Sequence, residues 1–284
     1  MHPGLLLGDR YELRAVLGRG GQSTVYRAFD RVDGDEVAIK VVHGASRDPD
    51  ATERVFREAQ TLSQLQGTAA VRVLHQVYAP DGSIGLVMEL LEGRDLDMHL
   101  GDLEARGEKP SFDWIVRSFE PIVETLMAAH DRGLVHRDLK AENLFLVDER
   151  RGGGIKLLDF GFVKLLRAPP ITDLETVVGS PSYIAPETWL KGASAVDCRS
   201  DAYSLAVVLY RTLAGHLPFV GAPIEVMHAV TQGPRPALVA HRPELAADAD
   251  RWVEQALSIS PQDRFHSVRA TWVALKSCFP VQSN

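Results

Sequence analysis

The sequence predicts an α+β protein in two lobes, a small antiparallel β-rich lobe at residues 1–91 and a larger, mainly α-helical lobe at residues 92–284. Three observations lead there. From Tyr11 to about Leu91 the chain runs in short stretches rich in Val, Ile and Tyr, several of them separated by Gly or Asp-Gly turn signals. After "EGRDL" it changes to long amphipathic segments. With 284 residues and 45% hydrophobic content, the chain can bury roughly three quarters of its unfolded surface by size scaling.

Taken in order, "YELRAVLG", "STVYRAFD", "EVAIKVV", "VRVLHQVYA" and "SIGLVMEL" read as five strands. One helix interrupts them: in "DATERVFREAQTLSQL", Asp50 to Leu65, Val55, Ala59, Leu62 and Leu65 recur at helical spacing while Arg and Glu fill the other faces. A short connection is expected near Leu91 to Gly93. Beyond it, "FDWIVRSFEPIVETLMAAHDRG", "SDAYSLAVVLYRTLAG" and "ELAADADRWVEQALS" read as helices, with Gly133 and Gly215 placed to end two of them. "RRGGG", Arg151 to Gly154 with its preceding arginine, reads as a turn before the strand-like "IKLLDFG". A junction between two lobes is a preferred place for a ligand.

Composition narrows the function. The net charge of −7 comes from 38 acidic and 31 basic residues interspersed along the chain, and the absence of a basic tract argues against a nucleic-acid partner. Cys198 and Cys278 stand alone, so neither a disulfide framework nor a zinc site is indicated, and a reducing, cytoplasmic setting fits. The opening "MHPGLLLGDRYEL" lacks a basic region, and no segment approaches the roughly 20 apolar residues of a membrane span. Oligomeric state is left open.

Several stretches carry chemistry. In "LGRGGQSTVYRA", Leu17 to Ala28, the glycines fit a plain turn, a dinucleotide loop or a phosphate-covering hairpin. A dinucleotide loop must run into a helix, whereas "STVYRAFD" alternates as a strand, so the hairpin is preferred. No GxxxxGK[ST] run occurs. "VAIK", Val37 to Lys40, places a lysine in a strand, and Glu58 lies on the helix face away from Arg54 and Arg57. A buried lysine needs such an anionic partner, because an unpaired buried charge is strongly unfavourable. "LVHRDLKAENLFL", Leu134 to Leu146, puts a His, an Arg, an Asp, a Lys and an Asn between apolar flanks. Charges of both signs fixed in one loop suggest work on a charged substrate.

Adding "LLDFG", Leu157 to Gly161, and "GSPSYIAPE", Gly179 to Glu187, completes an ordered set: glycine-rich hairpin, VAIK, helix glutamate, HRDLKxxN, DFG and APE. The set resembles the eukaryotic-type (Hanks-type) protein Ser/Thr kinase domain, in a bacterial style, over about Tyr11 to Phe279. The resemblance implies a bilobal protein-kinase-like fold and transfer of the ATP γ-phosphate to Ser/Thr hydroxyls of proteins, with Mg²⁺. It also implies roles. Asp138 would accept the proton of the attacking hydroxyl, Lys140 would touch the γ-phosphate, and Lys40, positioned by Glu58, would contact the α and β phosphates. Asn143 and Asp159 would hold Mg²⁺ with hard oxygen ligands.

For the nucleotide, the resemblance implies a loop of Leu17, Gly18, Arg19, Gly20, Gly21 and Ser23 over the phosphates, and Val25, Ala38 and Phe145 around adenine. Met88 would guard the back of that pocket, Glu89 and Leu91 would bond the ring edge through their backbone, and Asp95 would reach the ribose. His136 would pack under Phe160, Asp201 would anchor the catalytic loop, and Glu187 would pair with Arg264. Arg137 implies regulation by a phosphorylated activation segment, where Thr172, Thr176, Ser180 and Ser182 are the hydroxyls. Thr176 is preferred for its spacing to Ser180, Thr172 fits the bacterial spacing, and Ser180 resembles the residue that bonds Asp138 and Lys140. Ser23 stands in place of the third glycine at some cost in backbone freedom but leaves Gly18 and Gly20, the two nearest the phosphates, whereas Ala206 in place of the glycine of "SLG" and "QGTAAVRV" depart from the pattern away from the chemistry. A nucleotide-binding pseudokinase scaffold and a small-molecule phosphotransferase of the same fold are the alternatives.

Overall fold

The computed structural model describes residues 2, 4–20, 23–42, 59–60, 62–79, 83–160 and 181–280. The chain divides after Glu92 into two compact units.

The first unit is built on an antiparallel six-stranded sheet, β1 (Leu6–Leu7), β2 (Tyr11–Arg19), β3 (Ser23–Asp30), β4 (Glu36–Val42), β5 (Val73–Tyr78) and β6 (Ile84–Glu89), in the order β1-β2-β3-β4-β6-β5. The five strands read from the sequence are all present. The short β1 is additional, since two leucines are too few to show alternation. Register sorts the side chains. Tyr26 faces Ile39, Ala28 faces Val37 and Ile39 faces Val87, and these residues form one apolar core with Leu13, Val41 and Val77. Alternation then puts Val25, Ala38, Lys40 and Met88 on the opposite face. Of the helix expected at residues 50–65, residues 59–60 and 62–64 are helical, with Ala59, Leu62 and Leu65 buried as the spacing predicts. Val55 and Glu58 lie outside the described residues.

The second unit contains α1 (Leu96–Arg106), α2 (Phe112–His130), α3 (Pro186–Lys191), α4 (Cys198–Ala214), α5 (Pro223–Gln232), α6 (Asp248–Ala256) and α7 (Val268–Lys276). Ser111 caps α2 by accepting from Trp114 N, and Asp197 and Ser200 form a capping box that starts α4. Gly215, at φ 82°, ends α4 as expected. The segment read as a helix from Glu244 forms helix only over α6, because "ELAA" is spent on turns that bond Leu245 N to Arg242 O and Ala246 N to Cys278 O. α4 is buried from Ser200 to Ala214. It is the core about which the unit packs, touching α6 and α7.

A small antiparallel sheet, β7 (Gly93–Asp95), β8 (Leu144–Val147) and β9 (Ile155–Leu157), has one strand before the loop at 134–143 and two after it. Two glycine requirements hold it together. A Cβ on Gly93 would lie 2.0 Å from the Leu146 carbonyl oxygen, and Gly152, Gly153 and Gly154 all take positive φ in the β8–β9 turn. "RRGGG" is thus a turn that only glycine follows without strain.

Candidate active site

The loop at 134–143 is held from below. Asp201, near the start of α4 and 1% exposed, accepts from His136 N at 2.8 Å, from Arg137 N at 2.9 Å and from His130 Nε2 at 2.8 Å. Two of these donors belong to the loop and the third ends α2, so one buried carboxylate binds both to α4. His136 is buried, and its ring lies 4.7 Å from that of Phe160. Its Nδ1 accepts from Asp138 N at 3.4 Å, so Nε2 carries the proton and donates to the Leu158 carbonyl at 2.9 Å. The histidine ties the loop to the segment after β9 and has no ring nitrogen left for a base.

Alternation does the rest. His136 and Leu139 point into the core, whereas Arg137 is exposed and Asp138 and Lys140 are half-buried. Asn143 sits in the 3₁₀ turn Ala141–Asn143, and its Nδ2 donates to the Asp138 backbone oxygen at 2.7 Å and to Asp138 Oδ2 at 3.1 Å. Lys140 Nζ stands 3.8 Å from the same Oδ2. Asp138, Lys140 and Asn143 therefore converge. Two residues nearby, Arg137 (φ 68°) and Asp159 (φ 41°), hold left-handed backbone that non-glycine residues rarely adopt. Such strain concentrates at functional sites.

The residues fit Mg²⁺ by their chemistry. With both Asn143 donations directed at Asp138, the amide turns Oδ1, the end a hard cation would take, away from that carboxylate. Asp159, in the segment that leaves β9, would add a carboxylate oxygen to the Asn143 amide oxygen.

The nucleotide residues fall into two sets. In the first unit, Val25 pairs with Lys40 and Ala38 with Met88, so these four share one sheet face, and Lys40 is 6% exposed. Gly18 pairs with Val25, while Leu17, Gly18, Arg19 and Gly20 are exposed at the end of the β2–β3 hairpin and Ser23 is half-buried. Glu89 and Leu91 are half-buried at the end of β6 and just after it. In the second unit, Asp95 pairs directly with Phe145 across β7 and β8. Asp95 Oδ1 also caps α1 by accepting from Met98 N at 2.8 Å, a structural duty that sequence reading did not assign. Gly21, Glu58, Thr172, Thr176 and Ser180 lie outside the described residues. Ser182 is buried and donates to the Phe219 carbonyl at 2.7 Å, which makes it a structural hydroxyl rather than an accessible acceptor.

Glu187 and Arg264 form a buried, doubly bonded pair, with Arg264 Nη2 and Nη1 donating to Oε2 at 2.6 Å and Oε1 at 3.0 Å. Ser200 Oγ donates to Oε1 at 2.7 Å, and Arg264 spends its remaining donors on the Ser258, Ile259 and Arg199 carbonyls. Burial opposes the Glu187 charge, but the Arg264 and Ser200 hydrogen bonds outweigh it, and the carboxyl is held below its usual range.

The protein kinase domain family model matches residues 11–272 of this chain. The chain belongs to that family. Its relatives include the Ser/Thr protein kinase Pkn1 of Myxococcus xanthus, 35% identical across 94% of this kinase chain and 38% of the relative. PknL of Mycobacterium tuberculosis, also named a Ser/Thr protein kinase, is 36% identical across 92% of this chain and 63% of its own. This kinase chain thus spans between about two fifths and two thirds of the length of those relatives. Among solved structures, the PknI kinase domain of M. tuberculosis has a TM-score of 0.72 and 26% identity, covering 98% of this chain and 99% of that one. The bilobal kinase fold expected from the motifs is the fold the chain has.

Proposed function

We propose that this kinase domain transfers the γ-phosphate of ATP to Ser and Thr hydroxyls of proteins, its own activation segment included. The observation that carries the reading is the convergence of Asp138, Lys140 and Asn143 on a loop clamped by Asp201. Phosphoryl transfer needs positioning and charge neutralisation more than covalent chemistry. Asp138 accepts the proton of the acceptor hydroxyl, and Asn143 sets the carboxylate's orientation. Lys140 faces the transferred phosphoryl group and Lys40 holds the phosphates. Asn143 and Asp159 hold Mg²⁺, which when bound neutralises phosphate charge. The adenine and ribose residues take the roles that the family resemblance implies for them, and Arg137 receives the phosphorylated residue at Thr176 or Thr172. The reaction is placed in the cytoplasm, where ATP and reduced thiols coexist; among the described residues no helix is long and apolar enough to cross a membrane.

The test is incubation with Mg²⁺ and ATP beside Asp138→Asn, followed by intact mass and phosphosite mapping. A mass gain in wild type alone, centred on Thr176 or Thr172, is expected. ATP binding without transfer to itself or to protein acceptors would favour the scaffold reading, and transfer to sugars or aminoglycosides instead of protein would favour the small-molecule enzyme.

A further inference from the structure

α2 starts at Ser111, an exposed residue whose Oγ accepts from Trp114 N at 3.2 Å. That bond uses one donor of the first helical turn. Phe112 N and Asp113 N, nearer the end, have no carbonyl within the helix to reach. A helix of 19 residues also concentrates positive potential at this point.

A second feature points to an anion here. Arg242, in the segment between α5 and α6, is 6% exposed, and its guanidinium brackets Ser111: Nη2 donates to the Pro110 carbonyl at 2.9 Å, and the group lies 4.4 Å from the centre of the Phe112 ring. Nε and Nη1 are buried with no hydrogen-bond partner among the described residues. The ion pair that Arg242 makes is with exposed Glu244, whose Oε1 stands 3.6 Å from Nε, beyond hydrogen-bond reach. Burial opposes the charge and holds the guanidinium below its ordinary pKa. A buried cation with two idle nitrogens is costly unless an acceptor meets it. Lys109 Nζ donates to the His241 carbonyl, which brings a further cation to the same junction of the α1–α2 loop with the Arg242 segment. The acids on that loop and first turn are already paired, Glu108 with Arg106 and Asp113 with Arg117.

We propose that Ser111 is a phosphorylation site of this kinase, and that Arg242, Lys109 and the first N–H groups of α2 hold the phosphate it receives. The inference rests on the transfer reaction proposed above. α2 separates Ser111 from the catalytic loop: residues 112–130 rise about 28 Å, and His130 at the far end shares Asp201 with that loop. The phosphate donor is therefore bound to a second copy of the chain. Ser111 Oγ bonds to the γ-phosphorus of ATP as the bond from that phosphorus to the β–γ bridging oxygen breaks; ADP leaves with the electron pair, and the hydroxyl proton passes to Asp138 of the second copy. In the product the terminal phosphate oxygens, rather than the esterified Oγ, accept from the N–H groups of the first turn and from the idle donors of Arg242. The start of α2 is thereby fastened, and its other end is bonded to the anchor of the catalytic loop.

The test mixes a ¹⁵N-labelled Asp138→Asn chain, which lacks the base, with unlabelled wild type, Mg²⁺ and ATP, and maps phosphosites on both chains. Phosphate is expected on Ser111 of the labelled chain, and none at that position when the labelled chain also carries Ser111→Ala. A labelled chain without phosphate at Ser111 overturns the inference. Phosphate at Thr172 or Thr176 on either chain then leaves the transfer reading standing, whereas phosphate on neither chain removes that reading as well. Thermal melting reads the holding residues: the treatment should raise the midpoint of the labelled chain by about 3 °C or more beyond the change seen with Ser111→Ala. Arg242→Lys, which keeps the charge without the planar fork, and Lys109→Ala should each shrink that gain. Equal gains in all three chains would overturn the assignment of the phosphate to these cations.

Discussion

Two charged pairs in the helical unit have opposite character. Glu187 and Arg264 meet at 2.6 Å with side chains 4% and 1% exposed, and their oxygens and donors are shared further with Ser200 and backbone carbonyls. Asp138 and Lys140 stand 3.8 Å apart with side chains 21% and 16% exposed. The first arrangement is closed, so that its charges are spent on the fold. The second stands partly exposed, with Asn143 donating to the carboxylate and Lys140 beside it. Burial and bond geometry, not charge itself, separate the two pairs.

The comparison is broken most severely by Asp138→Asn. Transfer should drop by about 10² to 10⁴, the usual worth of a general base, while the thermal midpoint stays at the wild-type value. A large loss of Tm would make Asp138 structural after all. Arg264→Met should do the reverse, removing about 3–5 kcal/mol of stability and lowering Tm by roughly 10 °C, because Glu187 would be left buried and alone. Calorimetry showing an unchanged midpoint would sink the assignment.

Asn143→Ala sharpens the contrast further. With the tether to Asp138 gone, transfer should fall by about tenfold or more and need higher Mg²⁺, without the stability loss of Arg264→Met. An unchanged Mg²⁺ requirement would remove Asn143 from the metal. A titration then separates the pairs by pH. Because the Glu187 carboxyl is depressed below its ordinary value of 4.5, its contribution to stability is fully present above that pH and is lost as pH falls through the lower folded value. Glu187→Gln should lack this acid-sensitive component, and an identical slope below pH 4.5 in both proteins would count against the pair's depressed titration. The smallest effect is expected from Ser182→Ala, about 1 kcal/mol for the buried bond to Phe219. Transfer unaffected by that change would agree with a structural hydroxyl, whereas loss of a phosphosite would return Ser182 to the acceptors.

Much of this was legible in residue order. The β-rich half announced itself by Val, Ile and Tyr runs between glycine turns, and the ladder kept those strands. The motif spacing placed Asp138, Lys140 and Asn143 within six positions, where a loop and one 3₁₀ turn bring them together without help from distant residues. Asp201 and Arg264 were also readable, through the resemblance. Arg211 was not, although its signal was present: an arginine inside a helix otherwise too apolar for one has to find carboxylates. What the pattern could not say is that Asp97 and Glu104, more than a hundred residues earlier, would supply them.

The sequence alone determined the local quantities: strand and helix periods, the glycines of the β8–β9 turn, and the order of the motif residues. These depend on neighbours a few positions apart, and steric and hydrophobic rules act at that range. Tertiary structure alone decided which charges are sealed in the core and which stay partly exposed. A carboxylate looks the same in the sequence whether it is Asp95 capping a helix, Glu187 sealed by an arginine or Asp138 left partly exposed beside Asn143 and Lys140. Only packing, by bringing a donor to one and leaving solvent at another, sets the desolvation and hydrogen bonding that give each its role.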